Sequence, residues 1–88
     1  MAGYRDAGGR EDYLAHIVGS VIPCEYGWEP YVKVNYYESR AQFDPGSWAT
    51  AGGGDPADDF TVGRNVANWI GMIDDPGSTS GWPACWWR

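Results

Sequence analysis

Six Trp, six Tyr and two Phe stand against a single Leu in this chain. A core drawn from such a set is assembled from a few large rings, each able to hide about 150–250 Å², instead of many small aliphatic pieces. At 88 residues there is room for one domain, residues 1–88. Folding at that size hides only about 60–65% of the surface that the unfolded chain exposes. Not every ring fits inside. Burial is still the commoner fate for any one of them, and the remainder belong in a contact surface, where Trp and Tyr serve as anchors. A hydrophobic fraction of 43% excludes a wholly disordered chain, while 13 Gly and 6 Pro demand many turns and loops.

Twelve acidic residues against six basic ones leave a net charge of -6. That balance argues against nucleic acid or an anionic membrane as a direct partner and favours a basic one. The charge is also uneven. Between residues 41 and 87 lie Asp44, Asp55, Asp58, Asp59, Asp74 and Asp75, with Arg64 as the one base. Such an array, with Trp28 and Trp48 as apolar anchors, is able to occupy a groove whose Lys and Arg normally hold phosphates. The plainer reading of the same charge is solubility.

Cys24 and Cys85 lie far apart, no C-x-x-C spacing occurs, and one His is too few to complete a zinc site. The first residues lack the apolar stretch of a signal peptide. The expectation is free thiols in a reducing cytoplasm, with a Cys24–Cys85 bridge as the natural staple of an exported form. No run reaches the length of a membrane-spanning helix.

Residues 1–12 read as a mobile lead-in. In residues 13–22 two periods compete. Tyr13, Leu14, Ile17, Val18 and Val21 fit a helical face, but Gly19 and Pro23 weaken a helix, so a strand over 16–22 is preferred. Residues 31–37 alternate Val32, Val34 and Tyr36 against Tyr31, Lys33, Asn35 and Tyr37, as a half-buried antiparallel strand requires. A long loop then runs over 41–57, with Gly52, Gly53 and Gly54 as its flexible tip. Residues 58–63 read as a third strand. Val66, Trp69, Ile70 and Ile73 make the stripe of a short helix, capped by Asn65 and opposed at its end by Asp74 and Asp75. The tail carries three Trp in six residues and should dock. The fold expected is α+β, a small antiparallel sheet of about three strands with one helix on a face and long loops.

No catalytic constellation stands out, and the chain reads as a non-enzyme without cofactor or metal. His16 in an apolar segment is a structural histidine more often than a general base. Residues 52–55 lack the Lys-Ser/Thr ending of a P-loop. The Asp55, Asp58 and Asp59 group lacks the alternating ligands and terminal Glu of a calcium loop.

The stretches 31–37 (Tyr-Val-Lys-Val-Asn-Tyr-Tyr), 45–48 (Pro-Gly-Ser-Trp) and 55–62 (Asp-Pro-Ala-Asp-Asp-Phe-Thr-Val) resemble a pattern in small bacteriophage proteins. The second Pro-Glu-Pro element of that pattern is absent, and Gly52–Gly54 is extra. In kind, though in no shared motif, the chain is similar to anti-CRISPR proteins. That resemblance implies the cytoplasm of a bacterial host. It also implies an inhibitor that binds a CRISPR effector complex, such as a type I Cascade, and blocks its target-DNA site. The alternatives are an aromatic platform for carbohydrate and a phage accessory protein that associates through its rings.

Overall fold

The computed structural model describes residues 1–33, 35–73 and 75–88. Five α-helices follow in order: α1 (Ala2–Asp6), α2 (Glu11–His16), α3 (Ile22–Glu25), α4 (Pro45–Ala51) and α5 (Asp59–Met72), with a π-helical turn at Ile17–Val21 joining α2 to α3. Among the described residues there is no strand, only one antiparallel bridge between Glu38 and Phe43. The expected α+β sheet is therefore corrected to an all-helical fold with long ordered loops.

Each of the three expected strands fails for a local reason. In residues 13–22 the helical period wins. Leu14, Ile17, Val21 and Ile22 are buried on one side, and Gly19 faces solvent, where its helix cost is tolerable. The Pro23 problem is met inside the helix: Ile22 N–H reaches back five residues to Ile17 O, widening the turn just before the proline. Residues 31–37 have the alternation but no neighbour to pair with. A lone strand leaves its backbone groups unmatched. Turn contacts hold that segment instead: Tyr31 OH donates to Tyr37 O at 2.7 Å, and Val32 N–H donates to Tyr26 OH at 3.1 Å. Val34 lies outside the described residues. Residues 58–63 open α5. Asp58 is its N-cap, its carboxylate accepting from Thr61 N at 3.0 Å and from Thr61 Oγ1 at 2.6 Å.

Asn65, expected as that cap, sits one and a half turns inside the helix and is fully buried; its Nδ2 donates to Gly53 O at 3.0 Å. Val66 and Ile70 of the stripe are buried and Trp69 is half-buried, while Ile73 lies just past the last turn. Within the loop expected over 41–57, α4 forms because Asp44 caps it and Pro45 sits in the first turn, where its missing N–H costs nothing.

The lead-in is part of the body. Tyr4 is fully buried, its hydroxyl donating to Arg10 O at 2.7 Å. It gets there because α1 crosses α5 at two glycines: a Cβ on Gly3 would lie 1.9 Å from Phe60 O, and one on Gly63 would lie 2.8 Å from Tyr4 N. Backbone meets backbone at this crossing, so no larger residue fits. At the other end the Trp-rich tail docks as its composition requires. Trp82 packs edge-on to Phe43 at 5.7 Å, and Trp86 packs against Tyr13 at 5.1 Å. His16 Nε2–H donates to Trp86 O, a structural role. Cys24 on α3 is bridged to Cys85 in the tail, which corrects the expectation of free thiols.

Candidate functional site

The acidic residues singled out in the sequence and described in the structure lie at helix starts or turns. Asp44 Oδ1 accepts from Gly46 N at 3.0 Å, and Oδ2 from Ser47 N at 3.3 Å and Ser47 Oγ at 2.7 Å. Asp58 caps α5 in the same way. Asp55 Oδ1 accepts from Ala57 N and Asp75 Oδ1 from Gly77 N, both at 2.9 Å and both two residues ahead, the Asx-turn arrangement. Hydrogen bonds from Ser47 and Thr61, reinforced by the backbone N–H groups, hold the Asp44 and Asp58 carboxyls below the usual carboxylate range. All four residues are exposed. Asp59 differs: it is paired with Arg40, a nearly buried guanidinium that also donates to Glu29 O at 3.1 Å. Asp74 lies outside the described residues.

The two tryptophans part company. Trp48, expected as an anchor for a partner, is 5% exposed, with its ring 5.2 Å from Phe43 and its Nε1 donating to Gly54 O at 3.2 Å. It is a core residue, because Asp44 and Pro45 start α4 in the phase that turns this face inward. Trp28 is 46% exposed on a turn-rich loop.

The Gly52, Gly53 and Gly54 run is likewise tied down. All three have positive φ, and Gly53 O accepts from Arg64 Nη2 at 2.9 Å as well as from Asn65. Arg64, the one base between residues 41 and 87, is thus spent on backbone carbonyls, not on the neighbouring acids.

Three surface depressions take in Asp44, Asp59, Asp75 and Trp28. The largest, about 660 Å³, runs between α3, the start of α4 and the tail, and takes in Glu25, Asp44, Tyr37, Trp69 and Trp82. A second, about 310 Å³, has Met1, Val18, Trp28, Phe60 and Val62 as apolar walls and the Arg40–Asp59 pair at its edge. A third, about 360 Å³, holds Asp75 and shares Ser80 with the first. The acids are accordingly spread: Asp59 lines the Trp28–Phe60 groove, Asp44 and Asp75 line the two adjoining hollows, and Asp55 and Asp58 stand on open surface outside all three.

Sequence reasoning singled out neither Phe60 nor Glu25. Phe60 lies in the segment expected as a third strand, but in a helix capped by Asp58 it falls outward, 46% exposed. The signal was the Asp-x-x-Thr spacing of residues 58–61. Glu25 stands alone in the sequence, and only the fold makes it a neighbour of Asp44. Among the described residues no three His, Cys, Asp or Glu side chains converge as a metal site would require. Neighbouring rings at the surface do not lie in one plane: exposed Tyr36 and Tyr37 meet at 85°, half-buried Tyr26 and Tyr31 at 57°. No helix is long and apolar enough to cross a membrane among the described residues. Comparison with protein-family models, with curated proteins and with solved structures finds no match.

Proposed function

We propose that this chain is a non-enzymatic inhibitor that binds a basic, nucleic-acid-holding groove on a bacterial defence complex, of the kind a type I CRISPR effector presents to its target DNA. The observation that carries the reading is the state of the acids. Asp44, Asp55, Asp58 and Asp75 remain exposed, and each is clamped by its own backbone. Only Asp59 of the described set is matched by an arginine. Clamped carboxylates lose little freedom on meeting Lys or Arg, so less binding energy is spent on ordering them. The Trp28–Phe60 groove, with Asp59 in its wall, supplies what charge alone lacks, an apolar slot for an anchoring side chain. A sugar platform is less well supported, since stacking on a saccharide calls for rings side by side in one plane.

The test uses substitutions that keep the fold. Asn caps helices and closes Asx turns about as well as Asp. Changing Asp44, Asp55, Asp58 and Asp75 together to Asn therefore removes four charges, taking the net charge from -6 to -2, while leaving an accepting oxygen at every cap. Immobilised protein should capture purified type I effector complex and release it to target duplex. The Asn variant should let go at markedly lower salt. Failure to capture the effector, or equal retention by both proteins across a salt series, would overturn the reading. The compartment that belongs to it is the bacterial cytoplasm, and the bridge between Cys24 and Cys85 then requires that binding survive reduction.

A further inference from the structure

Of the residues lining the 660 Å³ cleft the groove-binding reading draws on Asp44 alone, and the cleft's size is that of a small-molecule site. Its wall is unusual in composition. Tyr37, Phe43, Trp69 and Trp82 supply aromatic surface, Glu25 and Asp44 supply carboxylates, and no Lys, Arg or His lines it. We propose that this cleft binds an organic cation, an alkylammonium or alkylguanidinium group carried on an apolar stem.

Three features point to that chemistry. The two indole N–H groups are already committed, Trp69 Nε1 to Ser80 O at 2.7 Å and Trp82 Nε1 to Ala41 O at 2.8 Å. Trp82 is buried, so the ring surface open to a ligand comes from half-buried Trp69 and exposed Tyr37, and π surface attracts cations. Asp44 is fixed by the α4 backbone and carries its charge at one end of the cleft. Glu25 is half-buried there, and among the described residues no hydrogen bond or ion pair reaches its carboxylate; burial alone pushes its pKa up. A carboxylate removed from water without a partner is unfavourable, and an ammonium group entering beside it restores the balance. An anion would meet two negative charges and no donor cation. A divalent metal would find too few ligands.

Titration of the purified protein with pentane-1,5-diamine, followed by calorimetry and tryptophan fluorescence, tests the site, with pentane-1,5-diol as the neutral isostere. The diamine should bind and the diol should not. Glu25→Gln, its fold checked by circular dichroism, should weaken the diamine by about tenfold or more, as loss of a charge-assisted hydrogen bond does. Asp75→Asn, an equal loss of charge outside the cleft, should leave it unchanged. N-acetyl-lysine amide distinguishes the source of the cation: binding by it as tight as the diamine's marks a polypeptide side chain, weaker binding a free amine. Equal response to diamine and diol, or equal affinity in the Glu25→Gln and Asp75→Asn proteins, would overturn the proposal. Glu25 plays no part in the effector-binding test above, so the two ideas stand or fall separately.

Discussion

Asp44 and Asp58 do at their helix starts what Glu25 cannot do in its cleft: each meets donors that favour the charged form. The consequence is opposite pH behaviour. A carboxyl whose pKa in the fold lies below its unfolded value binds fewer protons folded than unfolded. Its stabilisation is therefore full above the unfolded pKa of about 4 and drains away as pH falls through the lower folded value. The Asp44→Asn, Asp58→Asn protein should accordingly unfold less steeply between about pH 4 and 2 than the parent, followed by circular dichroism. Asp58→Ala, which removes the cap altogether, should lower the melting temperature at neutral pH by about 5 °C. Glu25 runs the other way. Its raised pKa means that the fold holds the proton better than the unfolded chain, so its effect is harmless at low pH and unfavourable once pH rises through the folded value. Glu25→Gln should raise the melting temperature at pH 7 and leave it unchanged at pH 3. Of these three carboxylates, the two helix-capping ones were legible as acids but not as caps. The Asp-x-x-Ser and Asp-x-x-Thr spacings of residues 44–47 and 58–61 were present, yet strand and loop assignments overrode them.

The glycines decide which elements can meet. Gly3 and Gly63 permit α1 to lie directly on α5, so Gly3→Ala forces a methyl group into the Phe60 carbonyl. Overpacking of this kind costs about 1–3 kcal/mol, and more where backbone has to move. Gly63→Ala should behave alike, and urea midpoints would check both. Gly19, in the π-helical turn, provides the contrast: nothing lies within 4 Å of the place its Cβ would take. Gly19→Ala should add about 0.5–1 kcal/mol by the helix preference of alanine alone. If Gly3→Ala and Gly19→Ala shifted the midpoint in the same direction, the crossing of α1 on α5 would be misdescribed. This is also where the sequence misleads at the element scale. Gly19 and Pro23 argue against a helix over 13–22 only if both must be accommodated by an unbroken α-ladder. A solvent-facing position for one and a widened turn for the other remove both objections. The alternation in 31–37 was real but insufficient, because strand formation depends on a partner that no single segment encodes. The stripe at Val66, Trp69 and Ile70 was legible because an amphipathic helix needs only one face of neighbours to bury it.

At the scale of the molecule, a chain with one Leu depends on long-range closure to keep its rings together. The tail shows how: Trp82 and Trp86 are buried, while Trp87 remains 70% exposed with its Nε1 on Gly77 O. Their docking, legible from composition, brings Cys85 beside Cys24 on α3, and the bridge closes a loop with a sequence separation of 61. The sequence offers this pairing only as the staple of an exported form, because cysteine spacing and the residues at the start of the chain say nothing about where two thiols meet in space. Constraining the unfolded chain over such a loop stabilises the fold by about 4 kcal/mol at 25 °C on a chain-entropy account. A domain of this size has only about 5–15 kcal/mol in total. Cys24→Ser with Cys85→Ser, or reduction by dithiothreitol, should therefore lower the urea midpoint by a third or more without abolishing the helical circular dichroism signal at 20 °C. The tail is also held by Trp82, through Ala41 O, and by the ring contacts of Trp86, none of which reduction removes. A reduced protein that unfolds outright would mean that those contacts cannot close the fold alone. The inhibition proposed above could then not take place in a reducing cytoplasm, and the same acids and grooves would have to serve a partner met where disulfides persist. A reduced protein that keeps its signal and still captures the effector complex would leave the bridge as added stability and the cytoplasm as the place of action.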